Sequence, residues 1–464
     1  MSYFKKKIRG YRWQLERVDA EVHKWWFLWA VIFGVYFAIW WLVLRPGVFS
    51  YDSGYYINEV ISGVIDNRKP FLYARFLQLT SIGGRYFELS TVVQVSLIVL
   101  LLSRAFAVAM ASRTSLVIVI FCGVLVLNPY VVLMALYIQN DILFCFAIIG
   151  ILVETLYVMR TASIGKAGFC MIAILSPMAF GFRENGLIFL PVWWCILPFL
   201  FQRPIWSRVV LISIFTTALA LTSGWGVSRS ESFNMFYPAV VHESIRLALP
   251  FYGHAAGSVL SPETTEAIGF NKVASAVPYY LPLYWDSIAF FQNGPKLADL
   301  PRRQQQEIVR SFLIHDFAQN LPSVMGHRLE IFIAEAMARG EYYVDPYAVP
   351  KNISGPLAND KIEYGNLLRE NGLFGGIVKF SILSRAWTWN AMVGVFVVGG
   401  MILLGLWRRD VKILLVCMLL FIQGAAIFAL SPAPDCRYVF MLYLAPLLLL
   451  VRIDVLPINR TVQN

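Results

Sequence analysis

Two acidic residues of this chain have positions suited to proton transfer. Asp52 lies just beyond the first long apolar segment, among small and aromatic neighbours, and Asp141 begins a later apolar segment. A carboxylate held at the boundary between water and lipid can have a raised pKa and take a proton from a hydroxyl group, as a general base does. Each has a compatible structural alternative, since an acid at the start of a helix caps it and complements its dipole.

Cations and other polar side chains occur in further connections on the same predicted side of the membrane: Lys69, Arg183, Glu184, Asn185, Arg437 and Tyr438. A mere turn does not need an adjacent Arg, Glu and Asn, so residues 183–185 are predicted to face a polar cavity. Lys69 suits a lipid phosphate, whereas interfacial snorkelling is the alternative for its neighbour Arg68. Carboxylates and arginines that converge on one face of a helix bundle fit an acid–base site that handles a phosphate leaving group.

The elements that must position these residues are membrane helices. The 464 residues are 58% hydrophobic and only 14% charged, with a mean hydropathy of +0.63. Soluble domains keep about 25% of their residues charged, and a disordered chain would lack the 34 Phe, 22 Tyr and 14 Trp, so both classes are excluded. A span needs about 20 apolar residues, and ten segments meet or nearly meet that length: 25–44, 89–110, 116–134, 141–159, 168–182, 187–201, 209–225, 387–407, 413–430 and 438–451.

The basic residues predict the orientation of these helices. With a cytoplasmic amino end, the inside connections and tails hold 18 Lys and Arg but only five Asp and Glu. This asymmetry is the positive-inside pattern, so both termini are predicted to be cytoplasmic, and the basic net charge of +11 does not indicate nucleic-acid binding. The six cysteines lie in or at the ends of apolar stretches, and the five histidines have no paired spacing, so no His or Cys metal site is expected.

These patterns predict an all-α polytopic membrane protein with four parts. Residues 1–24 form a basic cytoplasmic lead, and residues 25–226 form a seven-helix module whose first outer loop, 45–88, carries Asp52. Residues 227–386 form a mostly helical outer domain, and residues 387–464 hold three further helices and a cytoplasmic tail. Helical spacing within 301–340 predicts amphipathic helices on the outer face, with a helical cap that does not touch the membrane as the alternative.

This pattern resembles the GT-C superfamily of integral-membrane glycosyltransferases, which use polyprenyl-phosphate sugars as donors. Four features carry the resemblance: the early acid Asp52, the turn Asn140-Asp141, the turn Arg183-Glu184-Asn185-Gly186, which is similar to an Arg-x-Asn-Gly element of several bacterial members, and the late pair Arg437-Tyr438. The long outer region after the seventh helix adds to it. Many members have paired acids in the first loop where this chain has a lone Asp52, which disfavours a required divalent metal, and no other cofactor is implied.

The resemblance implies that Asp52 activates an acceptor hydroxyl, which attacks the anomeric carbon of a lipid-linked sugar with inversion, while polyprenyl phosphate leaves. Asp141 is the second candidate acid. Arg183 and Arg437, with Lys69, would stabilise the phosphate, and Glu184, Asn185 and Tyr438 would complete substrate binding. Size and helix number look most like bacterial enzymes of the inner membrane that add a side-branch sugar such as glucose to O-antigen or another surface glycan. The implied partners are the lipid-linked donor, a glycan or lipid-linked glycan acceptor, and membrane lipid.

Two other classes stay open. Enzymes of the O-antigen polymerase or ligase type rely on Arg and His of a late loop, for which Arg246, His254, His315 and Arg328 are the candidates. A lipid or sugar flippase needs polar residues along a path through the bilayer, where Glu154 is the one acid well inside a predicted span. No Walker or dinucleotide glycine pattern is present, so ATP-driven transport by this chain alone is not expected.

Overall fold

A computed structural model describes residues 2–49, 51–63, 71–161, 165–183, 236–249, 260–340 and 372–451, with single positions between 186 and 218. These residues form helices joined by short turns, and they contain no β-strand. The first eight helices are α1 Ser2–Leu44, α2 Tyr51–Ser62, α3 Phe71–Thr80, α4 Phe87–Ala111, α5 Leu116–Val126, α6 Pro129–Ala135, α7 Asn140–Thr161 and α8 Lys166–Gly181.

The second half of the described chain contains a group of mostly short helices followed by further apolar ones. They are α9 Tyr237–Ala248, α10 Pro262–Ile268, α11 Phe270–Ala276, α12 Asp286–Ala289, α13 Arg302–Ser311, α14 Leu321–Ala336, α15 Leu373–Leu383, α16 Arg385–Thr388, α17 Met392–Arg408, α18 Val411–Leu430 and α19 Phe440–Leu444. A 3-10 turn, Ala445–Leu450, continues α19.

Five stretches are long and apolar enough to cross a membrane: Ala20–Leu44, Phe87–Ala111, Asn140–Thr161, Arg385–Arg408 and Val411–Leu430. The chain therefore has the architecture of a helical membrane protein. The predicted number of ten spans is not reached among the described residues. The helices found for 168–182 and 438–451 are shorter than a span needs, and the predicted spans 187–201 and 209–225 lie almost wholly outside the described residues.

The predicted span 116–134 is a broken helix pair. Its two halves, α5 and α6, meet at an angle of 57°. Asn128 and Pro129 cause the break, because proline has no N–H to donate and disfavours helical dihedrals in the residue before it. The Asn128 side chain then caps α6 by accepting from the Tyr130 N–H at 2.9 Å and donates to the Thr388 carbonyl at 2.9 Å.

Helix α7 is the centre of the membrane part. It is apolar all round, as a fully buried helix must be, and its whole spanning window is covered by neighbouring helices. At Gly150 a Cβ atom would lie 2.6 Å from Leu101 of α4 and 2.7 Å from Leu175 of α8. Glycine at this position therefore lets three helices approach closely. We call the end at which α1 finishes and α7 begins the upper end of the bundle.

Glu154 of α7, inside the bundle, forms an ion pair. Arg104 of α4 donates from Nε to Glu154 Oε1 at 2.7 Å and from Nη2 to Oε2 at 3.4 Å, and both side chains are buried. The guanidinium also lies 5.4 Å from the Trp26 ring and 5.6 Å from the Tyr157 ring. The acid that could have marked a transport path is thus one half of a bidentate ion pair inside the bundle.

Helices α9 to α14 form an upper domain with an apolar core of its own, in which Ile245, Ile288 and Ile308 are fully buried. The helices predicted within 301–340 are present as α13 and α14, joined by a short π-helical turn, Phe312–Asp316. Asn320 precedes α14 as expected, but its side chain donates to the Asp316 carbonyl at 2.9 Å and does not cap the helix.

We expect Glu154→Ala to destabilise the protein strongly. Removing one partner leaves the Arg104 charge buried without compensation, which typically costs about 3–5 kcal/mol. Thermal unfolding in detergent measures this loss. The partly exposed pair Arg45–Glu88, at 3.6 Å, supplies the matched control, and Glu88→Ala should change stability by less than about 1 kcal/mol. Equal effects of the two substitutions would contradict a structural role of the Arg104–Glu154 pair.

Candidate functional site

The candidate site lies at the upper end, where the segment after α1 meets the turn before α7. Val48 donates its backbone N–H to the Leu136 carbonyl at 2.9 Å and accepts from the Ile138 N–H at 3.1 Å. The Ser53 hydroxyl adds a bond to the Ile138 carbonyl at 2.8 Å. Gln94 of α4 fixes the same turn by donating to the Tyr137 carbonyl at 2.8 Å. These backbone contacts hold the start of α2, and with it Asp52, in a defined place.

Arg437 connects two carboxylates at this place. Its Nη1 donates to Asp52 Oδ2 at 3.0 Å, and its Nε donates to Asp435 Oδ2 at 2.6 Å. The Gln139 amide also donates to Asp52 Oδ2, at 3.2 Å, and Tyr137 Oη accepts from the same guanidinium at 3.3 Å. The guanidinium of Arg437 is therefore fixed in position by carboxylates from two distant parts of the chain.

A second arginine–carboxylate pair lies beside the first. Arg183 Nε is 3.1 Å from Asp141 Oδ1, in the first turn of α7. The Asn140 amide donates to the Phe182 carbonyl at 3.0 Å and so ties the residue before Arg183 to the same helix end. Tyr438 joins the two pairs, because its ring lies 5.2 Å from the Arg183 guanidinium and 5.6 Å from that of Arg437. Both distances fall within the range of cation–π contact.

Five of the predicted site residues thus form one cluster: Asp52, Asp141, Arg183, Arg437 and Tyr438. The other three, Lys69, Glu184 and Asn185, lie outside the described residues. Sequence reasoning did not single out Tyr137, Gln139 or Asp435, although each stands within four residues of a residue that it did select. Nor did it find Glu335, whose helix carries no motif.

Several polar atoms of the cluster have unused hydrogen-bonding capacity. Arg183 Nη1, Gln139 Oε1 and Tyr73 Oη are buried and have no hydrogen-bond partner within the part of the chain that the structure describes. Tyr73, on α3, packs edge-on against the Phe182 ring, with centroids 5.4 Å apart. Burial raises the pKa of the Tyr73 hydroxyl well above its usual range, and the charge of Asp141 raises it further, so the group stays a neutral donor. Unsatisfied buried groups at one place are typical of a site that is completed by a ligand.

The arginines of the alternative late-loop hypothesis belong to a different cluster, inside the upper domain. Glu243 Oε1 accepts from Arg328 Nε at 2.7 Å and lies 2.7 Å from His327 Nδ1, and Glu243 Oε2 accepts from Arg246 Nε at 2.8 Å. All four side chains are buried, and Arg328 Nη1 continues to the Ser431 carbonyl at 2.8 Å. The cluster holds the upper domain together and fastens it to the segment that carries Arg437.

Neither histidine of the late-loop hypothesis is seen in this cluster. His315 is half-buried in the π-helical turn Phe312–Asp316, and His254 is outside the described residues. Within the described ranges, no group of three His, Cys, Asp or Glu side chains is arranged to hold a metal ion.

No protein-family model, no curated protein and no solved structure matches this chain. What can be defined is a class: a helical membrane protein whose upper end holds a mostly buried cluster of three aspartates and two arginines.

His242 predicts a pH dependence of stability. Burial, with a further contribution from the neighbouring His327, lowers the pKa of its imidazole to about 3, so the folded state disfavours the protonated ring. Because this pKa lies below the unfolded value of about 6.5, stability present at neutral pH is lost as the pH falls, by up to about 1.4 kcal/mol per pH unit. Between pH 7 and pH 5 the wild-type melting temperature should therefore fall.

His242→Gln should remove much of this fall. His242 Nε2 lies 3.0 Å from the Leu281 carbonyl, and the Gln amide can donate to that oxygen but does not titrate. His315→Gln is the matched control and should follow the wild type. Equal pH slopes for wild type and His242→Gln would show that His242 is not held neutral.

Proposed function

We propose that the chain is an inverting glycosyltransferase that moves a sugar from a polyprenyl-phosphate donor to a glycan acceptor at the upper end of the bundle. The observation that carries this proposal is the cluster of carboxylates with two arginines, one of which has an unused buried donor. General-base and phosphate-binding groups lie side by side in it, as transfer from a phosphate leaving group requires.

Asp52 is the carboxylate best placed to act as the base. Its side chain is 30% exposed, against 9% for Asp435 and 5% for Asp141, so an acceptor hydroxyl has the most direct access to it. In the proposed step the acceptor oxygen bonds to the anomeric carbon, the bond from that carbon to the phosphate oxygen breaks, and the hydroxyl proton passes to Asp52. Polyprenyl phosphate leaves with the bonding electrons.

Arg183 is the better placed of the two arginines to bind the donor phosphate. Its Nε is occupied by Asp141 at 3.1 Å, while the buried Nη1 has no partner among the described residues and can donate to an anionic oxygen. A guanidinium that is already oriented by a carboxylate and an aromatic ring loses little freedom when it binds phosphate. Arg437, which contacts Asp52, would act beside it.

Apolar surface near the cluster supports a lipid-linked donor. Leu373, Phe380 and Leu383 of α15 and Trp387 of α16 are each more than two-thirds exposed. Helix α15 packs near the upper end of α1, where the Phe374 ring lies 5.1 Å from that of Trp40. We place this surface in the outer leaflet of a bacterial cytoplasmic membrane, with both termini cytoplasmic and a surface glycan such as O-antigen as the acceptor.

Asp52→Asn tests the base. With radiolabelled undecaprenyl-phosphate-hexose and a surface-glycan acceptor, the substitution should lower transfer by about 10²- to 10⁴-fold, since Asn keeps the size of Asp but cannot take the proton. Asp299→Asn, at an exposed position of the upper domain, is the control and should leave transfer unchanged. Equal transfer by Asp52→Asn and wild type would move the base to Asp141 or Glu184. Failure of wild type with a panel of donors would contradict the enzyme class and favour the polymerase or flippase hypothesis.

Arg183→Lys tests the phosphate contact. Lysine keeps the charge but loses the planar donor pair, so kcat should fall by about 10²- to 10³-fold, the usual loss for one transition-state donor. Arg310→Lys, on the exposed face of α13, is the matched control. Wild-type kinetics in a correctly folded Arg183→Lys variant would remove Arg183 from the phosphate-binding role.

A further inference from the structure

One buried carboxyl group at the upper end takes no part in the ion pairs of the site. Glu335, near the end of α14, is completely buried, and among the described residues neither of its carboxyl oxygens has a hydrogen-bond partner. The large majority of buried polar side-chain atoms in native proteins are hydrogen-bonded, so a buried carboxyl group without partners requires a specific explanation. A burial cost of this kind is commonly retained where a ligand supplies the missing partner.

Glu335 lies against the segment that carries the candidate site. Ala336 accepts a hydrogen bond from the Ala391 N–H at 2.7 Å, which fixes the end of α14 on the membrane part. Just beyond, Gly340 approaches Pro434 so closely that no Cβ atom would fit. The Glu335 carboxyl group interacts electrostatically with both Asp435 and Arg183, which belong to the two ion pairs of the site.

The surroundings of Glu335 keep its carboxyl group neutral. Burial raises its pKa well above the usual range, and the negative charge of Asp435 raises it further. The Ser431 hydroxyl, which donates its proton to the Ala433 carbonyl at 2.8 Å and not to Glu335, and the charges of Arg183 and Arg328 act in the opposite direction without outweighing burial. A neutral carboxylic acid has one O–H donor as well as acceptor oxygens, whereas an ionised one only accepts.

A neutral acid next to a phosphate-binding arginine suits a hydroxyl group of the ligand. An ionised carboxylate there would repel the donor phosphate, and a neutral one does not. A sugar hydroxyl donates and accepts, and so can use both capacities of the acid. Building on the proposed function, we propose that Glu335 is a sugar-binding residue that hydrogen-bonds a hydroxyl group of the hexose attached to the phosphate held by Arg183.

The protonation state is tested without any substrate. Because the folded-state pKa of Glu335 lies above the unfolded value of about 4.3, wild type loses stability as the pH rises through the range between the two values. Glu335→Gln cannot ionise, so its melting temperature relative to wild type should increase with pH. Glu330→Gln, on the exposed side of the same helix, should show no such trend. A Glu335→Gln protein that is less stable than wild type at neutral pH would overturn the proposal.

Sugar binding is tested with undecaprenyl-phosphate-glucose and its monodeoxy analogues. Glu335→Leu should lower kcat/KM for the glucose donor by about 10- to 100-fold, and Glu335→Gln, which keeps a donor and an acceptor, should lower it much less. One deoxy donor should show the same loss with wild type and little further loss with Glu335→Leu. Melting temperatures of both variants establish that they are folded.

These experiments distinguish failure of the sugar-binding role of Glu335 from failure of the transferase function. If wild type transfers glucose, Asp52→Asn does not, and Glu335→Leu equals wild type, the sugar-binding role of Glu335 is wrong while the transferase function stands. If Glu335→Leu loses the same factor with every deoxy donor, the residue acts on the fold and contacts no single hydroxyl. If wild type transfers from no donor, both proposals are overturned together.

Discussion

Complete burial of α7 is the constraint on which the rest of the structure depends. A helix covered on all sides can carry a polar side chain only where a neighbouring element supplies a partner. Glu154 is matched by Arg104 within the bundle, and at the upper end Asp141 is matched by Arg183 while Asn140 holds the Phe182 carbonyl. The turn between α8 and the next segment therefore has to lie against the start of α7. The candidate site is built on that requirement.

The formal charges of the site are compatible with the proposed reaction. Three aspartates and two arginines leave one negative charge in excess when no ligand is present. During transfer a proton would neutralise Asp52 while the departing phosphate gains a negative charge. Arg437, which contacts Asp52 at 3.0 Å, would then be released from one anion at the moment when another forms nearby. Electrostatic stabilisation of this kind needs little movement, because Asp435 and Tyr137 keep the guanidinium in place.

Much of the membrane architecture and part of the site could be predicted from sequence. Hydropathy located the five long apolar helices, and the polar residues of the predicted outer connections identified Asp52, Asp141, Arg183 and Arg437. Sequence reasoning missed the bend of α5 and α6 although its signal was local, since Asn128-Pro129 is a recognisable cap and helix breaker. Hydropathy also counted as spans two segments whose helices turn out shorter than the bilayer requires.

The remaining parts depend on contacts between distant residues, which no local pattern encodes. The partner of Glu154 lies on another helix, and hydropathy alone cannot tell a lone buried acid from a paired one. Glu335 stands within a helix of ordinary amphipathic sequence, and only the packing of α14 on the segment around Pro434 makes it part of the upper end. The cluster around Glu243 likewise joins α9 to α14 through side chains far apart in the chain.

At the contact between the upper domain and the bundle, Arg328 uses two acceptors of different kinds, one from the main chain and one from a side chain. Arg328 contacts the main-chain carbonyl of residue 431, an oxygen that every amino acid possesses. On the other side it depends on the Glu243 carboxylate, which only a few side chains could replace. Sequence drift would therefore be tolerated at position 431, whereas substitutions at 243 and 328 would have to occur together. In related chains, residues 243 and 328 of the upper domain should therefore covary. Residues of the membrane helices should show little covariation with them.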